Sequence, residues 1–316
     1  MNLKNFSTDN YAELFDQIID LKIPEEQIKD TLLEINELNI PLEAFIGAIT
    51  SLKKKMKKVS VPFDVIDVCG TGGDGLNTLN VSTAVCFVLA SLGVKVAKHG
   101  NKGVSSKSGS ADIFSELGIE FDDSQEKIIA SLEEKNLSFL FAPYFHGALK
   151  NVAGIRKSLG IPTIFNFLGP LLNPTNTNTQ LIGVSRHDLM GKMLEAAKFF
   201  NENSRIYMVH GFDGMDEITI TDNSYLIKLQ DGEIKNEEII NPEDYGINKV
   251  SLKEIEGQDP KYNATKLKGL LSGEKSAYFD IVALNAAFAL ELSGKSNNVH
   301  DALRLINQSR NIIKSS

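Results

Sequence analysis

The chain has few cysteines, no long apolar run and no excess of basic residues. Its two cysteines, Cys69 and Cys86, are too few and too close for a disulfide framework, and neither has a second Cys or His at metal-ligand spacing. A reducing cytoplasm is therefore the expected setting. The first residues show no apolar run before a cleavage site, so no signal peptide is expected. The most apolar stretch, Ala84 to Leu92, is too short to span a bilayer, so no membrane partner is expected.

Acidic residues outnumber basic ones by 41 to 33, which gives a formal net charge of -8. Binding to a nucleic-acid backbone usually needs a basic face, so nucleic acid is not expected as a partner. With 316 residues, 42% hydrophobic and 23% charged, the chain has the length of two domains and the composition of an ordinary globular protein.

Acidic residues are nevertheless absent between Asp74 and Asp112. This window opens with GTGGDGLNTLNVST, the first glycine turn (residues 70–83), and closes with KHGNKGVSSKSGSAD, the second glycine turn (residues 98–112). Glycines leave backbone N–H groups free to converge on an anion, and hydroxyls add donors. Positive charge comes from Lys95, Lys98, Lys102 and Lys107. The two turns together predict a site for a compact ligand with phosphates at both ends.

Hydrophobic periodicity predicts three short helices over residues 9–58. The lysine run at residues 53–58 is then more simply a helix C-terminus than a polyanion site. After Pro62 the pattern alternates, with strands predicted at 63–68, 94–100, 137–143 and 204–211 and helices at 82–93, 109–118 and 146–160. Such units predict a parallel sheet. Hairpin strands are predicted within 222–256, and two closing helices at 276–294 and 298–314.

The predicted fold class is α/β, with a small all-helical domain and a larger α/β domain around a mostly parallel central sheet. The helical domain is predicted to contain residues 1–62 and about 163–185, because prolines and asparagines interrupt the strand and helix pattern in that second segment. The α/β domain is predicted to contain residues 63–162 and about 186–316. Ligands of such sheets bind at the carboxyl ends of the strands, where both glycine turns and the acidic loop at 209–217 are expected to lie.

The first glycine turn allows more than one interpretation. Gly70, Gly72 and Gly75 spell GxGxxG, but the acidic residue that a dinucleotide site needs about twenty positions later is missing. A P-loop is excluded because Leu76 and Asn77 stand where its Lys and Ser or Thr belong. A phosphate-binding turn at a helix N-terminus remains, with four hydroxyl residues: Thr71, Thr78, Ser82 and Thr83. Ser82 and Thr83 would equally serve as ordinary helix caps.

Two further groups of polar residues are candidates for the site. Lys98, His99 and Asn101 offer a cation, a ring donor and an amide in the second glycine turn. Asp213, Asp216 and Glu217 follow a predicted strand and are equally compatible with a hard cation and with an ordinary surface loop.

Four segments, namely the two glycine turns, GIRKSLGIPTIFNFLGPLLNP and GFDGMDE, occur in this order after a short helical region. Together they make the chain resemble the anthranilate phosphoribosyltransferase family over nearly its whole length. The resemblance implies a Mg²⁺-dependent transfer of the phosphoribosyl group from phosphoribosyl pyrophosphate (PRPP) to the amino nitrogen of anthranilate, in tryptophan biosynthesis. It also implies a homodimer formed through the helical domain.

The resemblance assigns site residues as follows. Those implied for PRPP are Gly70, Thr71, Gly72, Gly73, Asp74, Thr78, Asn80, Ser82, Thr83, Lys98, Asn101 and Ser110. Those implied for anthranilate are Gly70, His99, Asn101, His146, Arg156 and Pro170, with Arg156 anchoring the carboxylate. Those implied for Mg²⁺ are Ser82, Asp216 and Glu217. No residue is identified as a general acid or base. The sequence departs from the family pattern at Lys102, Gly103, Gly147 and Pro162, which concerns the shape of the anthranilate entrance.

Two alternatives come from different functional classes. A pyrimidine nucleoside phosphorylase has a similar architecture and a KHGN-like turn, but is not expected to carry the first glycine turn or the GPLLNP segment. A non-catalytic nucleic-acid-binding relative of the same fold would need a basic groove, which the net charge of -8 disfavours.

Overall fold

Three amphipathic helices begin the chain, as the periodicity predicts: α1 (Thr8–Ile19), α2 (Glu25–Glu37) and α3 (Leu42–Lys55). Ser7 starts α1 with a capping box, in which its hydroxyl accepts from the Asn10 N–H and the Asn10 side chain accepts from the Ser7 N–H. The apolar face of α1 is buried against its neighbours. The first three residues of the lysine run, Lys53 to Lys55, occupy the last turn of α3, where positive charge is favourable.

The computed structural model describes residues 2–103, 107–175 and 177–309. Residues 104–106 of the second glycine turn, and the part of the predicted closing helix beyond residue 309, lie outside the described residues.

A single sheet forms the centre of the α/β part. Its strands are β1 (Ile66–Gly70), β2 (Val96–Gly100), β3 (Leu137–Phe141), β4 (Thr179–Gly183), β5 (Arg205–Gly211), β6 (Ser224–Gln230), β7 (Glu233–Ile234) and β8 (Glu238–Ile240). The spatial order is β3-β2-β1-β4-β5-β6-β7, with β8 beside β6. Strands β1 to β5 pair in parallel, whereas β6 pairs antiparallel with each of its neighbours β5, β7 and β8. This confirms the prediction of a mostly parallel sheet. Within the predicted hairpin region, Asp231 and Gly232 form the turn that joins β6 to β7, and both residues have positive φ.

Helices cover both faces of this sheet. They are α4 (Val81–Ser91), α5 (Ser110–Glu116), α6 (Gln125–Lys135), α7 (Ala142–Phe145), α8 (Lys150–Leu159), α9 (Ile164–Leu168), α10 (Met190–Phe200), α11 (Pro260–Leu271), α12 (Ala277–Leu292) and α13 (Val299–Ser309). Helices α6, α7, α9, α10 and α11 have no counterpart among the predicted elements. Helix α12 is apolar all round and almost wholly buried. None of the described helices is long and apolar enough to cross a bilayer.

The alternation of side chains along each strand separates two hydrophobic clusters. Ile66 and Val68 of β1 join the cluster that contains α4 and α12. Cys69 of β1 and Ile182 of β4 join the cluster that contains α1, α3 and α10. The N-terminal helices therefore pack against one face of the sheet, and the carboxyl ends of the parallel strands remain at the edge where both glycine turns begin.

The segment at 163–185 corrects one expectation. Helix α9 and the 3-10 turn Gly169–Leu172 share a hydrophobic cluster with α1 to α3. However, Thr179–Gly183 is strand β4, between β1 and β5 in the middle of the sheet. Its first two residues, Thr179 and Gln180, are polar and follow the Asn- and Thr-rich stretch 173–178, so the apolar part is too short to show a strand pattern. Residues 179–183 therefore belong to the sheet and not to the helical part. The rest of the domain division stays a prediction.

Candidate active site

The first glycine turn leaves the end of β1 through backbone conformations that glycine favours. Gly72, Gly73 and Gly75 have φ values of +67°, +81° and +75°. The Thr71 N–H donates to the Gly183 carbonyl (2.9 Å), and the Thr71 hydroxyl accepts from the Ser185 N–H (3.0 Å). The turn is therefore anchored to the end of β4 and extends from the edge of the sheet.

The acidic loop after β5 contacts both ends of this turn. Asp216 Oδ2 accepts from the Gly72 N–H (2.6 Å), and Glu217 Oε1 accepts from the Ser82 N–H at the start of α4 (3.0 Å). Glycine is required for this approach, since a Cβ on Gly183 would lie 1.5 Å from the Asp216 carbonyl oxygen. The structure thus brings together residues that are more than 130 positions apart in the sequence.

Burial and mutual repulsion disturb these carboxyl groups. Burial raises the pKa of Asp216 well above its usual range, and the neighbouring Asp74 and Glu217 raise it further. Burial also raises the pKa of Glu217, against the opposing effect of Lys98 and the Ser82 N–H. Burial disfavours the charged forms of Asp216 and Glu217, so a cation beside these two groups would be stabilising.

These residues fit Mg²⁺ by their donor chemistry. Ser82, Asp216 and Glu217 supply only oxygen donors, which Mg²⁺ prefers. Within the described ranges, no three His, Cys, Asp or Glu side chains form a group that could hold a metal ion by themselves. Mg²⁺ usually keeps waters and binds through one or two carboxylates together with substrate phosphates, so this small donor set suits it.

Asp213, the third acid of the loop, is separate from this group. Its Oδ1 accepts from the Met215 N–H (3.0 Å), and its Oδ2 accepts from the hydroxyls of Thr219 (2.7 Å) and Thr221. A carboxylate with these partners holds its own loop together, so Asp213 has a structural role.

Lys98 lies beneath the turn and is only 2% exposed. Its Nζ donates to the Val68 carbonyl (2.7 Å) and to the Ser82 hydroxyl (3.3 Å). Burial opposes the charge of Lys98, yet the neighbouring Cys86, Asp67 and Glu217 raise its pKa. The ammonium group therefore remains positive beside the first glycine turn.

Asp67 is a buried residue that the sequence analysis missed. Its Oδ1 accepts from the backbone N–H of His99 (3.1 Å) and its Oδ2 from the Asn173 amide (2.9 Å). Burial raises its pKa, and the neighbouring Lys98 opposes that shift. Asp67 lies within β1 and is a single polar residue in a β-branched run. Such a position in the sequence does not predict a functional role.

The other residues predicted for PRPP lie around the same strand ends. Thr78 forms a bridge with Glu256, and Thr83 is buried in the first turn of α4. The Ser110 hydroxyl donates to the Asn101 carbonyl (3.3 Å) at the start of α5. The second glycine turn is also tied by Asp112, whose Oδ2 accepts from the N–H groups of Gly103 (2.9 Å) and Gly109 (2.8 Å).

Two histidines predicted for anthranilate are in direct contact. His99 Nε2 lies 3.2 Å from His146 Nε2, and His99 Nδ1 lies 3.2 Å from the Gly169 carbonyl. Because a carbonyl only accepts, His99 donates to it through Nδ1. Pro170 follows Gly169 in the same 3-10 turn and is buried. Burial lowers the pKa of His99 to about 3 and that of His146 to about 4, so both rings are neutral near pH 7.

Arg156 lies on α8 with its guanidinium carbon 5.4 Å from the centre of the Phe165 ring. Burial lowers its pKa. Among the described residues no carboxylate forms an ion pair with it. Its contact with α9 connects it to the segment that continues to Gly169, but it makes no hydrogen bond with either glycine turn in the described part of the chain. The structure therefore brings Gly72 and Ser82 into contact with Asp216 and Glu217, whereas in the described part of the chain Arg156 contacts α9.

Comparison with known proteins supports one family. The glycosyl transferase family model, a/b domain, matches residues 63–311. The anthranilate phosphoribosyltransferase of Thermoanaerobacter sp. (strain X514) is 44% identical over 267 residues, which cover 84% of this chain and 78% of that protein.

Solved structures agree with this result. The crystal structure of anthranilate phosphoribosyltransferase from Thermus thermophilus has a TM-score of 0.90 and 29% identity, covering 98% of this chain and 92% of that chain. The enzyme from Saccharomyces cerevisiae in complex with PRPP and Mg has a TM-score of 0.88 and 27% identity, covering 98% and 90%. The chain belongs to the anthranilate phosphoribosyltransferase family.

Proposed function

We propose that this protein transfers the phosphoribosyl group of PRPP to the amino nitrogen of anthranilate, giving N-(5-phosphoribosyl)anthranilate and pyrophosphate in tryptophan biosynthesis, with Mg²⁺ as cofactor. One observation carries the proposal. The acidic loop contacts the first glycine turn at both ends, through Asp216 to Gly72 and Glu217 to Ser82. Carboxylates for a cation and N–H groups for a polyanion thus meet at one strand edge, as a metal-bound pyrophosphate requires.

The two glycine turns divide the PRPP molecule between them. The first turn, with Gly70 to Asp74, Thr78, Asn80, Ser82 and Thr83, binds the pyrophosphate through backbone N–H groups and hydroxyls. Lys98, Asn101 and Ser110 bind the phosphoribosyl end. The Lys98 Nζ reaches the Ser82 hydroxyl of the first turn (3.3 Å), so its buried charge favours an anion where the two turns meet, because an ammonium group kept from water attracts an anion more strongly than an exposed one.

Ser82, Asp216 and Glu217 would hold Mg²⁺. When bound, Mg²⁺ neutralises charge on the pyrophosphate leaving group. The protein's own contribution is to hold oxygen donors beside the N–H groups of the turn, so that little rearrangement is needed as charge develops.

Arg156 pairs with the anthranilate carboxylate, and His99, Asn101, His146, Pro170 and Gly70 line the path of the aromatic ring. A guanidinium without a carboxylate partner among the described residues supports the first assignment, since such a group favours a bidentate acid. The neutral, buried His99 and His146 support the second, because they offer ring surface without charge.

The reaction is a displacement at the anomeric carbon of ribose. The lone pair of the arylamine forms the new C–N bond, the C–O bond to pyrophosphate breaks with its electron pair leaving on oxygen, and the amine loses one proton. An arylamine is neutral near pH 7 and needs no prior deprotonation. Positioning of the two substrates and stabilisation of the leaving charge are therefore the main catalytic terms.

The direct test is loss of anthranilate fluorescence when the protein is mixed with PRPP and Mg²⁺, with pyrophosphate measured as the second product. We expect loss of signal only when all three components are present. Absence of turnover, together with phosphorolysis of thymidine or uridine, would favour the nucleoside phosphorylase. A gel shift at physiological salt tests the nucleic-acid-binding alternative.

We also propose that the protein is a homodimer formed through its helical domain and acts in the cytoplasm. Leu33 on α2 and Leu21 after α1 are large apolar side chains exposed by 36% and 49%, and a second copy that covers the helical part would bury them. Light scattering at several protein concentrations tests the dimer, and a monomer at all of them would contradict it.

A further inference from the structure

The segment at residues 255–263, here called the clasp segment, runs along residues 77–80 of the first glycine turn. The Leu79 N–H donates to the Ile255 carbonyl (2.9 Å), and the Gly257 N–H donates to the Asn77 carbonyl (2.8 Å). These bonds flank an antiparallel bridge between Thr78 and Glu256. A Cβ on Gly257 would lie 2.4 Å from the Thr78 carbonyl oxygen, so the approach requires glycine. The clasp segment therefore fixes the backbone of the turn just before α4.

The clasp segment ends at Asn263, which extends this contact to a side chain. Asn263 is 2% exposed and lies in α11. Its Nδ2 donates to Asn80 Oδ1 (3.0 Å), while its Oδ1 accepts from the Gln258 N–H (2.8 Å). The second bond holds the Asn263 amide in one orientation, so that it presents a donor to Asn80.

Asn80 in turn joins the two glycine turns. Its Oδ1 also accepts from the Ser108 hydroxyl (3.3 Å), and its Nδ2 donates to the Ser108 carbonyl (3.1 Å). The Asn80 backbone carbonyl accepts from the Tyr278 hydroxyl (3.0 Å) and from the Ala84 N–H (3.1 Å), the latter in the first turn of α4. Both lone pairs of Asn80 Oδ1 thus have protein partners.

We propose that Asn263 is a positioning residue for PRPP, which acts by fixing the Asn80 amide that joins the pyrophosphate end of the site to the phosphoribosyl end. This inference rests on the proposed function of the two glycine turns. Asn263 lies in the C-terminal part of the chain, more than 180 positions from Asn80. It is not expected to contact the ligand. Its effect is to keep the N-terminus of α4 and the second glycine turn in one relative geometry, so that both phosphate sites are formed before PRPP arrives.

The test measures PRPP binding by calorimetry with Mg²⁺ present and anthranilate absent, followed by steady-state kinetics. Asn263→Leu removes the donor at similar volume, and we expect the Kd for PRPP to rise about tenfold while the KM for anthranilate at saturating PRPP changes less than about twofold. In an Asn80→Ala background the same substitution should have little further effect on PRPP binding, because its partner is already missing.

A milder pair of variants covers the case in which Asn263→Leu fails to fold. Tyr278→Phe removes only the hydroxyl that donates to the Asn80 carbonyl, and we expect the Kd for PRPP to rise about threefold. Tyr11→Phe is the matched control, since the Tyr11 hydroxyl is equally buried and donates to the Leu3 carbonyl in the helical part. It should leave PRPP binding unchanged.

Two results would overturn the positioning role. One is wild-type PRPP affinity in folded Asn263→Leu or in Tyr278→Phe. The other is equal weakening of both substrates, with the effects of Asn263→Leu and Asn80→Ala adding independently. A wild-type protein that binds PRPP but leaves anthranilate unconsumed would instead contradict the proposed function, so the two failures are distinguishable.

Discussion

The two ends of the proposed active site are built in different ways. The pyrophosphate end is largely one continuous segment, the first glycine turn, whose Gly72 N–H and Ser82 N–H point at the acidic loop. The anthranilate end is assembled from separate elements, with His99 at the end of β2, His146 after α7, and Arg156 on α8. The first depends on backbone conformation and the second on the packing of the helical part against the sheet.

The two ends should therefore be sensitive to different kinds of substitution. At the pyrophosphate end, a single methyl group at a positive-φ glycine alters the positions of several donors at once. At the anthranilate end each side chain acts alone, and its loss should affect one substrate. The comparison therefore predicts coupled effects on binding and turnover at the first end, and separable effects at the second.

The largest effect is expected from the metal ligands. Asp216→Asn with Glu217→Gln removes the two negative groups beside the turn, and we expect kcat to fall roughly 1000-fold or more, because the charge of the leaving pyrophosphate loses its metal-bound counter-charge. The rate as a function of Mg²⁺ concentration is the measurement. The protein should remain folded, since the removed charges repel each other.

Asp213→Asn provides the control, because it removes a charge from the same loop. Asp213 holds the loop through Thr219 and Met215, so we expect lower thermal stability and an unchanged Mg²⁺ dependence. A double variant at Asp216 and Glu217 that keeps the wild-type Mg²⁺ titration would contradict this metal site and make the neighbouring Asp74 the next candidate ligand.

Gly72→Ala tests whether the turn acts through its backbone. Gly72 has φ of +67° and no atom within 4 Å of a built Cβ, so the expected damage is conformational and not a clash. Strain of about 1 to 3 kcal/mol and displaced N–H donors should lower kcat/KM for PRPP roughly 100-fold. Stabilisation of the protein against heat by PRPP and Mg²⁺ should disappear with it.

Gly246→Ala is matched in backbone geometry, with φ of +74° and open space around the built Cβ. It should lose similar stability but keep PRPP binding. Normal turnover and retained ligand stabilisation in Gly72→Ala would show that the turn is only a tight connection between β1 and α4.

Arg156→Ala sharpens the other side of the comparison. A charge-assisted pair with a carboxylate contributes about 1.5 to 3 kcal/mol, so the KM for anthranilate should rise roughly 10- to 100-fold while PRPP binding stays nearly intact. Arg156→Lys should recover only part of the loss, because an ammonium group does not pair bidentately. Equal weakening of both substrates in Arg156→Ala would show that its packing on Phe165 is the main role.

The contrast between the two ends also explains what the sequence could predict. Local patterns predict the first glycine turn, the strand before it and most strands of the sheet. These patterns are glycine spacing and period-2 apolar runs. The acidic loop could be proposed as a metal site from composition, but only the structure separates Asp216 and Glu217 from Asp213. The sequence around neighbouring carboxylates in one loop is the same whether their side chains face a ligand or bond to their own loop. It therefore cannot distinguish the two cases.

Residues that act through long-range contacts had no such signal. Asp67 is buried within a strand, and Asn263 lies in a helix far along the chain. Strand β4 begins with two polar residues after an Asn- and Thr-rich stretch, so it shows no strand pattern. Their roles depend on which segments meet in space. Hydrophobic periodicity predicts which face of a helix or strand is buried. It does not predict which other segment packs against that face.

The smallest effect on turnover near pH 7 is expected from the two histidines of the anthranilate end, whose burial should appear instead as a pH dependence of stability. Burial lowers the pKa of His99 to about 3 and of His146 to about 4, below the ordinary value near 6.5. Below pH of about 6.5 the unfolded chain binds protons that the folded protein still excludes, so the free energy of unfolding should fall by up to about 1.4 kcal/mol per pH unit for each histidine, until the pH approaches the folded values. Above pH of about 6.5 the contributions of His99 and His146 to the free energy of unfolding are fully present.

Urea unfolding between pH 7 and 5 measures how steeply the free energy of unfolding changes with pH. His146→Gln should reduce this slope by about the share of one histidine. His300→Gln, at an exposed position on α13, is the control for a histidine replacement away from this pair. An equal slope in His146→Gln and the wild type would mean that the buried histidine pair does not exclude protons, and that the anthranilate end is more open to water than its packing indicates.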